Sequence, residues 1–463
     1  MSEVQKIIQN AFKLKVDSHD LIKSAKSLLT KGENNIIHEF LELGHLPVVN
    51  NAISKSNQVD EWLELILQLI NKSNYNIYTL INQRAIRYND KPLFQTISNN
   101  KITPLSYTKS WEIIQSIGSY FQSNLKENNT IGLYSQNNLR NVLIDLACLS
   151  YNIRVVPIPM NLSSDHFEYV IKHAEITHLF LDSSITELSI RDINKKKNDV
   201  MIIDIDNDQA WDQFVSQCDN ISMQKPLLHD LNELSSVMYT SVTTDNPKGI
   251  IFNQTNIISK RFARALALPD IGPDDSFLCY LPLYHTFGRW FEMMGSIFWG
   301  TTYTFTETTS FKNLLKDFEL SKPSIFISIP KRWIQIYEQI EASIHIEKSN
   351  DKEINKITRS VTGGKLKWGL SAAGYLDPDI FRFFNDNGIN LLSGYGMTEA
   401  TGGITMTPPS DYYTDSVGKP LPGIELKLAE DNELLMRGPY VSPGYYKEEI
   451  CLLYTSPSPR DRG

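Results

Sequence analysis

The chain has 463 residues, a length that allows two to four domains or one large α/β unit with additions, and its composition, 41% apolar and 21% charged, is that of a globular protein. Its formal net charge of -8 and its pI of about 5.7 leave no basic excess to neutralise phosphates, so we expect no nucleic-acid partner. Four scattered cysteines fit free thiols in a reducing compartment and lack metal-ligand or redox spacing: Cys148, Cys218, Cys279 and Cys451.

The first 74 residues show apolar side chains at helical spacing, for example at Leu21, Ile22 and Ala25. Asp17 precedes this run and can cap the helix that it predicts. We therefore predict a small helical extension over residues 1–74. A partner-binding role and a plain packing role both stay open for it.

The pattern changes near residue 75, where short β-type runs begin to alternate with helical segments. We predict helices over residues 78–87, 106–125, 139–151 and 165–174, and strands over residues 92–96, 130–134, 155–158, 178–181 and 201–204. Such alternation, with apolar β runs, is typical of parallel sheets covered by helices. The sequence thus predicts the α/β class, with one large unit over residues 75–450.

A polar loop at residues 239–249 lies between two apolar β runs, 236–239 and 250–252, which predicts a strand, a loop and a strand. The loop carries four hydroxyl residues and one lysine, which suit a polyphosphate: Thr240, Ser241, Thr243, Thr244 and Lys248. Composition alone favours the alternative reading, an ordinary polar hairpin.

Two further segments place candidate site residues at the ends of predicted strands. His285 follows the apolar run 277–283 at a strand-to-helix junction, where side chains commonly project into a cleft. Ala373 and Gly374 end the segment 366–374 in a small-residue turn, which lets a flat ligand approach the backbone closely. Either segment taken alone could be ordinary core or turn sequence.

The segment 389–399 predicts a strand with a polar tip beyond its carboxyl end. In that tip Tyr395 can stack on a ring, Thr398 can donate a hydrogen bond, and Glu399 can hold a hard cation such as Mg²⁺.

Taken in this order, the segments resemble the adenylate-forming acyl-activating superfamily of AMP-binding enzymes, and most closely its long-chain fatty acyl-CoA synthetases. The resemblance rests on six segments, which look like the phosphate loop, the acyl-site histidine motif, the most specific signature and three later motifs of that family: residues 239–249, 281–285, 395–399, 415–423, 433–438 and 444–447. It covers about residues 78–448, and Arg289 and Glu292 follow the histidine motif as in the long-chain branch.

The resemblance implies an acid–thiol ligase that uses ATP, Mg²⁺ and coenzyme A. A fatty carboxylate would attack the α-phosphorus of ATP to give acyl-AMP and pyrophosphate, and the thiol of coenzyme A would then take the acyl group. Because this first step is attack at phosphorus, positioning and charge neutralisation are expected to dominate catalysis.

The resemblance also implies roles for individual residues. Five would hold the β- and γ-phosphates: Thr240, Ser241, Thr243, Thr244 and Lys248. Four would surround the adenine, with the tyrosine stacked on the ring: Ala373, Gly374, Tyr395 and Gly396. Thr398 would contact the α-phosphate, Glu399 would bind Mg²⁺ together with Thr244, and His285 would line the acyl entrance. The catalytic group would be His285, Lys248, Thr398 and Glu399. Candidates for an acyl tunnel, with core packing as the alternative, are Trp290, Phe291 and Met294.

The phosphate loop departs from the family pattern, which has glycine where Val242 and Asp245 stand. A β-branched valine suits neither positive φ nor close approach of the backbone to a ligand. Asp245 brings a negative charge towards a triphosphate, and at about 5 Å with an effective dielectric near 20 the repulsion is roughly 3 kcal/mol. We therefore predict weaker ATP binding than a standard member of the family shows.

The carboxyl-terminal end also departs from the pattern. Family members continue past the segment 444–447 to a ribose-binding aspartate, a hinge and a small lid that carries a catalytic lysine. We expect the chain as written to be inactive or impaired for this reason. Residues 451–463 shift abruptly to Ser, Pro and Arg, and we interpret them as a non-native tail, with a natural disordered tail as the alternative.

Other functions stay open at this point. The chain could be the adenylation part of a multidomain acyl-loading or reductase protein, or a nucleotide- or acyl-binding pseudoenzyme whose altered loop has lost catalysis. The sequence has no apolar run long enough to cross a bilayer and no signal-peptide core. We expect a cytoplasmic protein, with peripheral contact at the cytosolic face of a membrane as an option. Oligomeric state and acyl chain length are not indicated.

Overall fold

The computed structural model describes residues 3–13, 16–126, 129–183, 200–240, 246–344, 346, 349–408, 413, 416–430 and 432–448. The α-helices in these ranges are α1 Glu3–Phe12, α2 Ser18–Lys31, α3 Asn34–Glu42, α4 Pro47–Ser54, α5 Val59–Ser73, α6 Ile77–Tyr88, α7 Tyr107–Asn124, α8 Leu139–Ser150, α9 Ser164–His173, α10 Asp208–Asp219, α11 Gln254–Ala267, α12 Met294–Trp299, α13 Phe311–Ser321, α14 Pro330–Ser343, α15 Asp351–Val361 and α16 Pro378–Asp386. Short 3₁₀ turns occupy Leu43–His45 and Thr398–Ala400, and a π-helix occupies Phe287–Met293.

The strands are β1 Pro92–Ser98, β2 Lys101–Ser106, β3 Thr130–Tyr134, β4 Val155–Pro157, β5 Ile176–Leu181, β6 Met201–Asp204, β7 Leu234–Tyr239, β8 Gly249–Asn253, β9 Ser276–Cys279, β10 Thr302–Phe305, β11 Ile325–Ser328, β12 Trp368–Ala372, β13 Asn390–Met397, β14 Gly402–Met406, β15 Lys419–Pro420, β16 Glu425–Leu428 and β17 Leu434–Arg437. They form a nine-stranded sheet, a six-stranded sheet and a two-stranded hairpin, β16–β17.

The six-stranded sheet has the order β6-β5-β3-β4-β7-β8. Its strands are parallel except for β8, which pairs with β7 in antiparallel fashion. Every residue of β3 is buried, as expected for a parallel strand that is covered on both faces. The loop between β7 and β8 therefore emerges at the edge where the parallel strands have their carboxyl ends.

The nine-stranded sheet has the order β15-β14-β13-β12-β11-β9-β10-β1-β2. Its centre, from β13 to β1, is parallel, and β2, β14 and β15 are antiparallel additions at the two sides. The segments that follow β9, β12 and β13 thus leave the sheet at one edge. In open α/β sheets this is the edge at which ligands bind.

The amino-terminal helices α1–α5 pack onto α11 and also onto α6, where Arg87 donates to the carboxylate of Glu42. Their apolar faces belong to one core with the sheet-covering helices. At Gly44 an added Cβ would lie 2.3 Å from the ring of Phe262 on α11, so the backbone of Gly44 lies directly against this ring. Asn51 donates a hydrogen bond to Asp270 at 2.9 Å, just beyond the end of α11. These helices therefore cover one side of α11.

Most predicted elements are confirmed, including the strands at 130–134 and 201–204 and the strand–loop–strand reading of the segment 236–252. Asp17 caps α2, and its carboxylate accepts from the backbone N–H groups of His19 and Asp20. The prediction for 389–399 was wrong in one respect. β13 continues to Met397 and pairs there with β14, so Tyr395 lies within the strand, whereas Thr398 and Glu399 follow the strand in a 3₁₀ turn as predicted for the polar tip.

Candidate functional site

The base of the polar loop is held by the β7–β8 hairpin. Tyr239 lies opposite Gly249, and the backbone N–H of Thr240 donates to the carbonyl of Lys248 at 3.2 Å. The Tyr239 hydroxyl shares a hydrogen bond with Nδ1 of His173 on α9 at 2.8 Å. The structure thus places Thr240 and Lys248 side by side where the loop opens. Ser241, Val242, Thr243, Thr244 and Asp245 lie outside the described residues.

The segment 444–447 runs along the outer edge of β8. Tyr445 forms a β-bridge with Ile250, the N–H of Ile251 donates to the carbonyl of Gly444 at 3.1 Å, and the N–H of Tyr446 donates to the carbonyl of Gly249 at 2.7 Å. This pairing carries residues from the far end of the chain to the exit of the polar loop.

Tyr445 links the two halves of the site. Lys248 Nζ lies 5.2 Å from the centroid of the Tyr445 ring, which is within the range of a cation–π contact. The Tyr445 hydroxyl donates to Oε1 of Glu399 at 2.9 Å. Burial, and then the charge of Glu399, raises the pKa of Tyr445, so its hydroxyl keeps its proton and remains a donor. The sequence identified the segment that contains Tyr445 but gave no role to this residue.

Glu399 is also fixed through its backbone. It lies in the 3₁₀ turn that ends β13, and its carbonyl accepts from the N–H of Ser442 at 2.6 Å. The turn closes when the N–H of Thr401 donates to the carbonyl of Thr398 at 3.1 Å. The backbone and the carboxylate of Glu399 are therefore both held by the segment that pairs with β8.

The β13–β14 pair requires glycine at position 396. Gly396 lies opposite Gly403, and a Cβ at position 396 would come within 2.4 Å of the Gly402 carbonyl oxygen. Tyr395 precedes it, with its N–H donating to Oγ1 of Thr405 at 3.3 Å. This close approach fixes the backbone of Tyr395 and Gly396 against β14, at the carboxyl-terminal end of β13.

Ala373 and Gly374 emerge next to this pair. Ala372 lies opposite Gly394 in the β12–β13 register, so the two residues that follow it leave the sheet beside Tyr395. Both are exposed, and Ala373 has a φ of 64°, a left-handed conformation that costs a non-glycine residue about 1–2 kcal/mol. Backbone strain of this kind is found preferentially at ligand sites.

His285 lies on a loop that is held by Asn137. The Asn137 amide donates to the carbonyl of Leu281 at 2.7 Å and accepts from the N–H of Leu283 at 2.9 Å. His285 itself is exposed, yet the surrounding protein lowers its pKa by desolvation, which favours a neutral imidazole. Asn137 follows β3, so it joins the histidine loop to the other sheet, and no sequence pattern had pointed to it.

A fully buried ion pair anchors the π-helix that follows His285. Arg289 donates to both carboxylate oxygens of Asp145 on α8, at 2.8 and 2.6 Å, and to Oγ of Ser236 on β7 at 2.7 Å. Glu292 lies on the same π-helix but pairs elsewhere, accepting from the Tyr303 hydroxyl at 3.4 Å, and burial raises its pKa well above the usual range. A π-helix is rare and is frequently associated with functional sites.

The proposed tunnel residues Trp290, Phe291 and Met294 are all buried. Trp290 packs against the ring of Phe252 on β8, and the guanidinium of Arg264 lies 4.1 Å from the centroid of the Phe291 ring. Their burial fits core packing as well as a closed tunnel wall.

In the part of the chain that the structure describes, no group of three or more His, Cys, Asp or Glu residues could hold a metal ion. A lone carboxylate can still serve Mg²⁺, because this ion is usually held by one or two carboxylates together with water and substrate phosphates. Oε1 of Glu399 accepts from Tyr445, and no hydrogen bond from a described residue reaches its Oε2. Thr244, the other predicted ligand, lies outside the described residues.

None of the helices within the described ranges combines the length and the apolar character needed to cross a membrane.

Comparison with known proteins gives a consistent result. A family model described as "AMP-binding enzyme" matches residues 81–446. The chain is 25% identical over 402 residues to long chain acyl-CoA synthetase 7, peroxisomal, of Arabidopsis thaliana, a match that covers 74% of this chain and 57% of that protein. It is 24% identical over 398 residues to fatty acyl-CoA synthetase A of Dictyostelium discoideum, with 74% and 59% covered. The chain thus spans less than two thirds of the length of these relatives.

Solved structures show the same fold. O-succinylbenzoate coenzyme A synthetase of Bacillus subtilis, in complex with AMP, matches with a TM-score of 0.63 at 18% identity, over 80% of this chain and 90% of that one. A long-chain-fatty-acid-CoA ligase of Archaeoglobus fulgidus matches with a TM-score of 0.67 at 18% identity, over 81% and 77%. At these identities the likeness concerns the fold alone.

Proposed function

Because the chain belongs to the AMP-binding enzyme family, we propose that it takes part in the ATP-dependent activation of a long-chain fatty acid. The acid would form an acyl-AMP intermediate with release of pyrophosphate, and coenzyme A would then accept the acyl group as a thioester. One observation carries this proposal: Tyr445 joins Lys248 of the phosphate loop to Glu399 of the signature turn, so residues far apart in sequence form one polar site.

The nucleotide would lie across this site. Thr240 and Lys248 would meet the β- and γ-phosphates together with Ser241, Thr243 and Thr244. Tyr395 would stack on the adenine beside Ala373, Gly374 and Gly396, and Thr398 would contact the α-phosphate. The register of β12 and β13 supports this arrangement, because it brings the small-residue turn and the signature segment to the same sheet edge. The strained φ of Ala373 is a second support.

Glu399 would hold Mg²⁺, with Thr244 as a second protein ligand. The hydrogen bond from Tyr445 orients the carboxylate and leaves Oε2 for the ion, which fits the preference of Mg²⁺ for few protein oxygens. When bound, the ion would neutralise phosphate charge. Lys248 would add a positive charge at the open end of the loop.

His285 would border the acyl entrance as a neutral imidazole. Its backbone carbonyl accepts from the N–H of Arg289, and the Arg289–Asp145 pair fixes the start of the π-helix.

We assign three parts to the chain. Residues 1–74 would be a helical extension that supports α11, residues 75–450 would be the adenylation unit, and residues 451–463 would be a non-native tail. We place the protein in the cytoplasm, with peripheral membrane contact as an option.

A nucleotide-binding protein without catalysis is the second candidate function. The observation in its favour is the pair Val242 and Asp245 in the phosphate loop, where the family pattern has glycine.

ATP–pyrophosphate exchange with a panel of fatty acids tests the proposal. Because the chain as written is expected to be impaired, we expect weak acid-dependent exchange, which is lost in Lys248→Met and Glu399→Gln. Lys109→Met is the matched control, because Lys109 is exposed in the first turns of α7 and its ion pair with Glu112 is far in sequence from the site residues. Binding of ATP without exchange would favour the second candidate, and binding of neither ATP nor acid would contradict both.

A further inference from the structure

Asn256 lies in the first turn of α11 and is buried, with an exposed fraction of 5%. Its side-chain carbonyl accepts from the backbone N–H of Asn253 at 3.4 Å, which completes a capping box. Its side-chain amide donates to the carbonyls of Pro439 and Val441, at 2.9 and 3.0 Å. A capping box requires only the first of these hydrogen bonds. The other two reach a segment that lies 183 and 185 residues further along the chain.

The two donated hydrogen bonds end on the segment that holds the backbone of Glu399. In this segment, residues 439–442, successive residues contact different partners. The carbonyl of Tyr440 accepts from Oγ1 of Thr401 at 2.6 Å, and the N–H of Ser442 donates to the carbonyl of Glu399 at 2.6 Å. The segment therefore lies between α11 and the signature turn, and Asn256 fixes its position on the α11 side.

The same segment leads directly to Tyr445, the other contact of Glu399. Oγ of Ser442 donates to the carbonyl of Ile251 at 2.7 Å, and Tyr445 forms its β-bridge with Ile250. The Tyr445 hydroxyl then donates to Oε1 of Glu399. Glu399 is thus held at its backbone by Ser442 and at its carboxylate by Tyr445. A displacement of the segment would move both contacts together.

One turn further along α11, Lys260 contacts the same region. Its Nζ donates to the carbonyl of Gly403 on β14 and lies 3.7 Å from the centroid of the Tyr440 ring. Residues four apart lie on one face of a helix, so Asn256 and Lys260 share a face of α11. This face meets both the segment 439–442 and the hairpin that carries the signature. The helix thus serves as a common support for the two sides of the Glu399 contact.

We propose that Asn256 is a positioning residue for Glu399, the expected ligand of Mg²⁺. This inference rests on the proposed function, since it concerns the same nucleotide site. Asn256 acts through the segment 439–445 and not by contact with the nucleotide. By holding this segment, it keeps the Glu399 carboxylate oriented before Mg²⁺ and ATP arrive. Residues that orient a metal ligand in this way raise the affinity for the metal without touching it.

Asn256→Asp separates this role from helix capping. The carboxylate keeps an acceptor for the N–H of Asn253, and a negative charge in the first turn of a helix is favoured by the helix dipole. An ionised carboxylate cannot donate to the carbonyls of Pro439 and Val441. The variant is therefore expected to fold and to lose only the link to the segment 439–442.

Calorimetric titration of the full chain with ATP, with and without Mg²⁺, gives the factor by which Mg²⁺ tightens ATP binding. We expect this factor to fall about fivefold in Asn256→Asp, which corresponds to the net contribution of one hydrogen bond. ATP binding without Mg²⁺ should change by less than about twofold, because the phosphate loop is untouched. Asn256→Leu is the second variant, with the same expected fall, since it lacks both donors and adds no ionisable group.

Asn253→Ala is the matched control at the start of the same helix. It removes the acceptor for the N–H of Asn256 and leaves both donors of the Asn256 side chain in place. We expect a lower midpoint of urea unfolding, because a helix cap is lost, and a wild-type factor for Mg²⁺. A purely structural role of Asn256 would instead give similar losses of the factor in the control and in the two variants.

A wild-type factor in both Asn256 variants would overturn the inference, and so would an equal fall of the factor in Asn253→Ala. Either result leaves the proposed function standing, provided that Mg²⁺ tightens ATP binding in the wild type and acid-dependent exchange is observed. If Mg²⁺ has no effect on ATP binding in the wild type, the proposed nucleotide site is itself contradicted, and the inference falls with it.

Discussion

Two buried arginines, one within the π-helix and one packed against it, have opposite surroundings. Arg289 forms two hydrogen bonds with Asp145 and one with Ser236, so its charge is fully compensated. Arg264 lies over the ring of Phe291, near a sulfur atom, and its Nε has no hydrogen-bond partner among the described residues. Burial alone does not separate them. The partners do: the charge of Arg289 is neutralised by a buried acid, whereas no acidic side chain among the described residues pairs with Arg264.

Of the substitutions at the two arginines, Arg289→Met should change the free energy of unfolding more. The substitution leaves Asp145 buried without its partner, which typically costs about 3–5 kcal/mol of folding free energy. Urea unfolding of the variant and the wild type measures the difference. A loss below about 1 kcal/mol would mean that Asp145 finds another donor, and the contrast with Arg264 would disappear.

Arg264→Met should act in the opposite direction. Because no acid is left behind and a buried charge is removed, we expect the free energy of unfolding to rise by about 1–2 kcal/mol in the absence of ligand. The loss of the contact with Phe291 offsets part of this gain. The same urea series detects the change, and a clear loss of stability would assign Arg264 the structural role of Arg289.

The phosphate loop allows a third test, because Asp245 is expected to bring a negative charge towards the triphosphate. Replacing both Val242 and Asp245 with glycine should tighten ATP binding by about tenfold, because the repulsion between Asp245 and triphosphate is roughly 3 kcal/mol and a loop in contact with water feels only part of it. Calorimetric titration with ATP gives the affinity. Unchanged binding would show that Asp245 points away from the phosphates.

Tyr445→Phe should have the smallest effect. Its hydroxyl contributes one hydrogen bond to Glu399, so its loss should weaken Mg²⁺-dependent ATP binding by about 1 kcal/mol, or about fivefold. Tyr446→Phe is the matched control, since the Tyr446 hydroxyl accepts from Arg154 and lies on the far side of the segment. Equal effects of the two substitutions would remove Tyr445 from the site.

The sequence predicted the fold well where local patterns decide it. The helices of residues 1–74, the parallel strands β3 to β6 and the β7–β8 hairpin all follow from apolar periodicity and turn residues. The continuation of β13 to Met397 was missed, because its Gly-rich end has no strand pattern and is stabilised by pairing with β14.

The candidate site was predicted from motifs, and its internal connections were not. Asn137, Asp145 and His173 each act across more than 60 residues of sequence, through one or two hydrogen bonds that leave no periodic signal. Tyr445 lay in a recognised segment, but its place between Lys248 and Glu399 depends on the pairing of residues 444–446 with β8. The burial of Lys260, Arg261 and Arg264 on α11 was missed, because basic residues on a helix predict a solvated face unless their burial is known.

The central claim is that Lys248, Tyr445 and Glu399 form one Mg²⁺-dependent nucleotide site. Calorimetric titration of the wild type and Glu399→Gln with ATP, each with and without Mg²⁺, tests it most directly. We predict that Mg²⁺ tightens ATP binding in the wild type and that this gain is lost in Glu399→Gln, because the amide cannot replace a carboxylate ligand. An equal Mg²⁺-dependent gain in both proteins would contradict the claim.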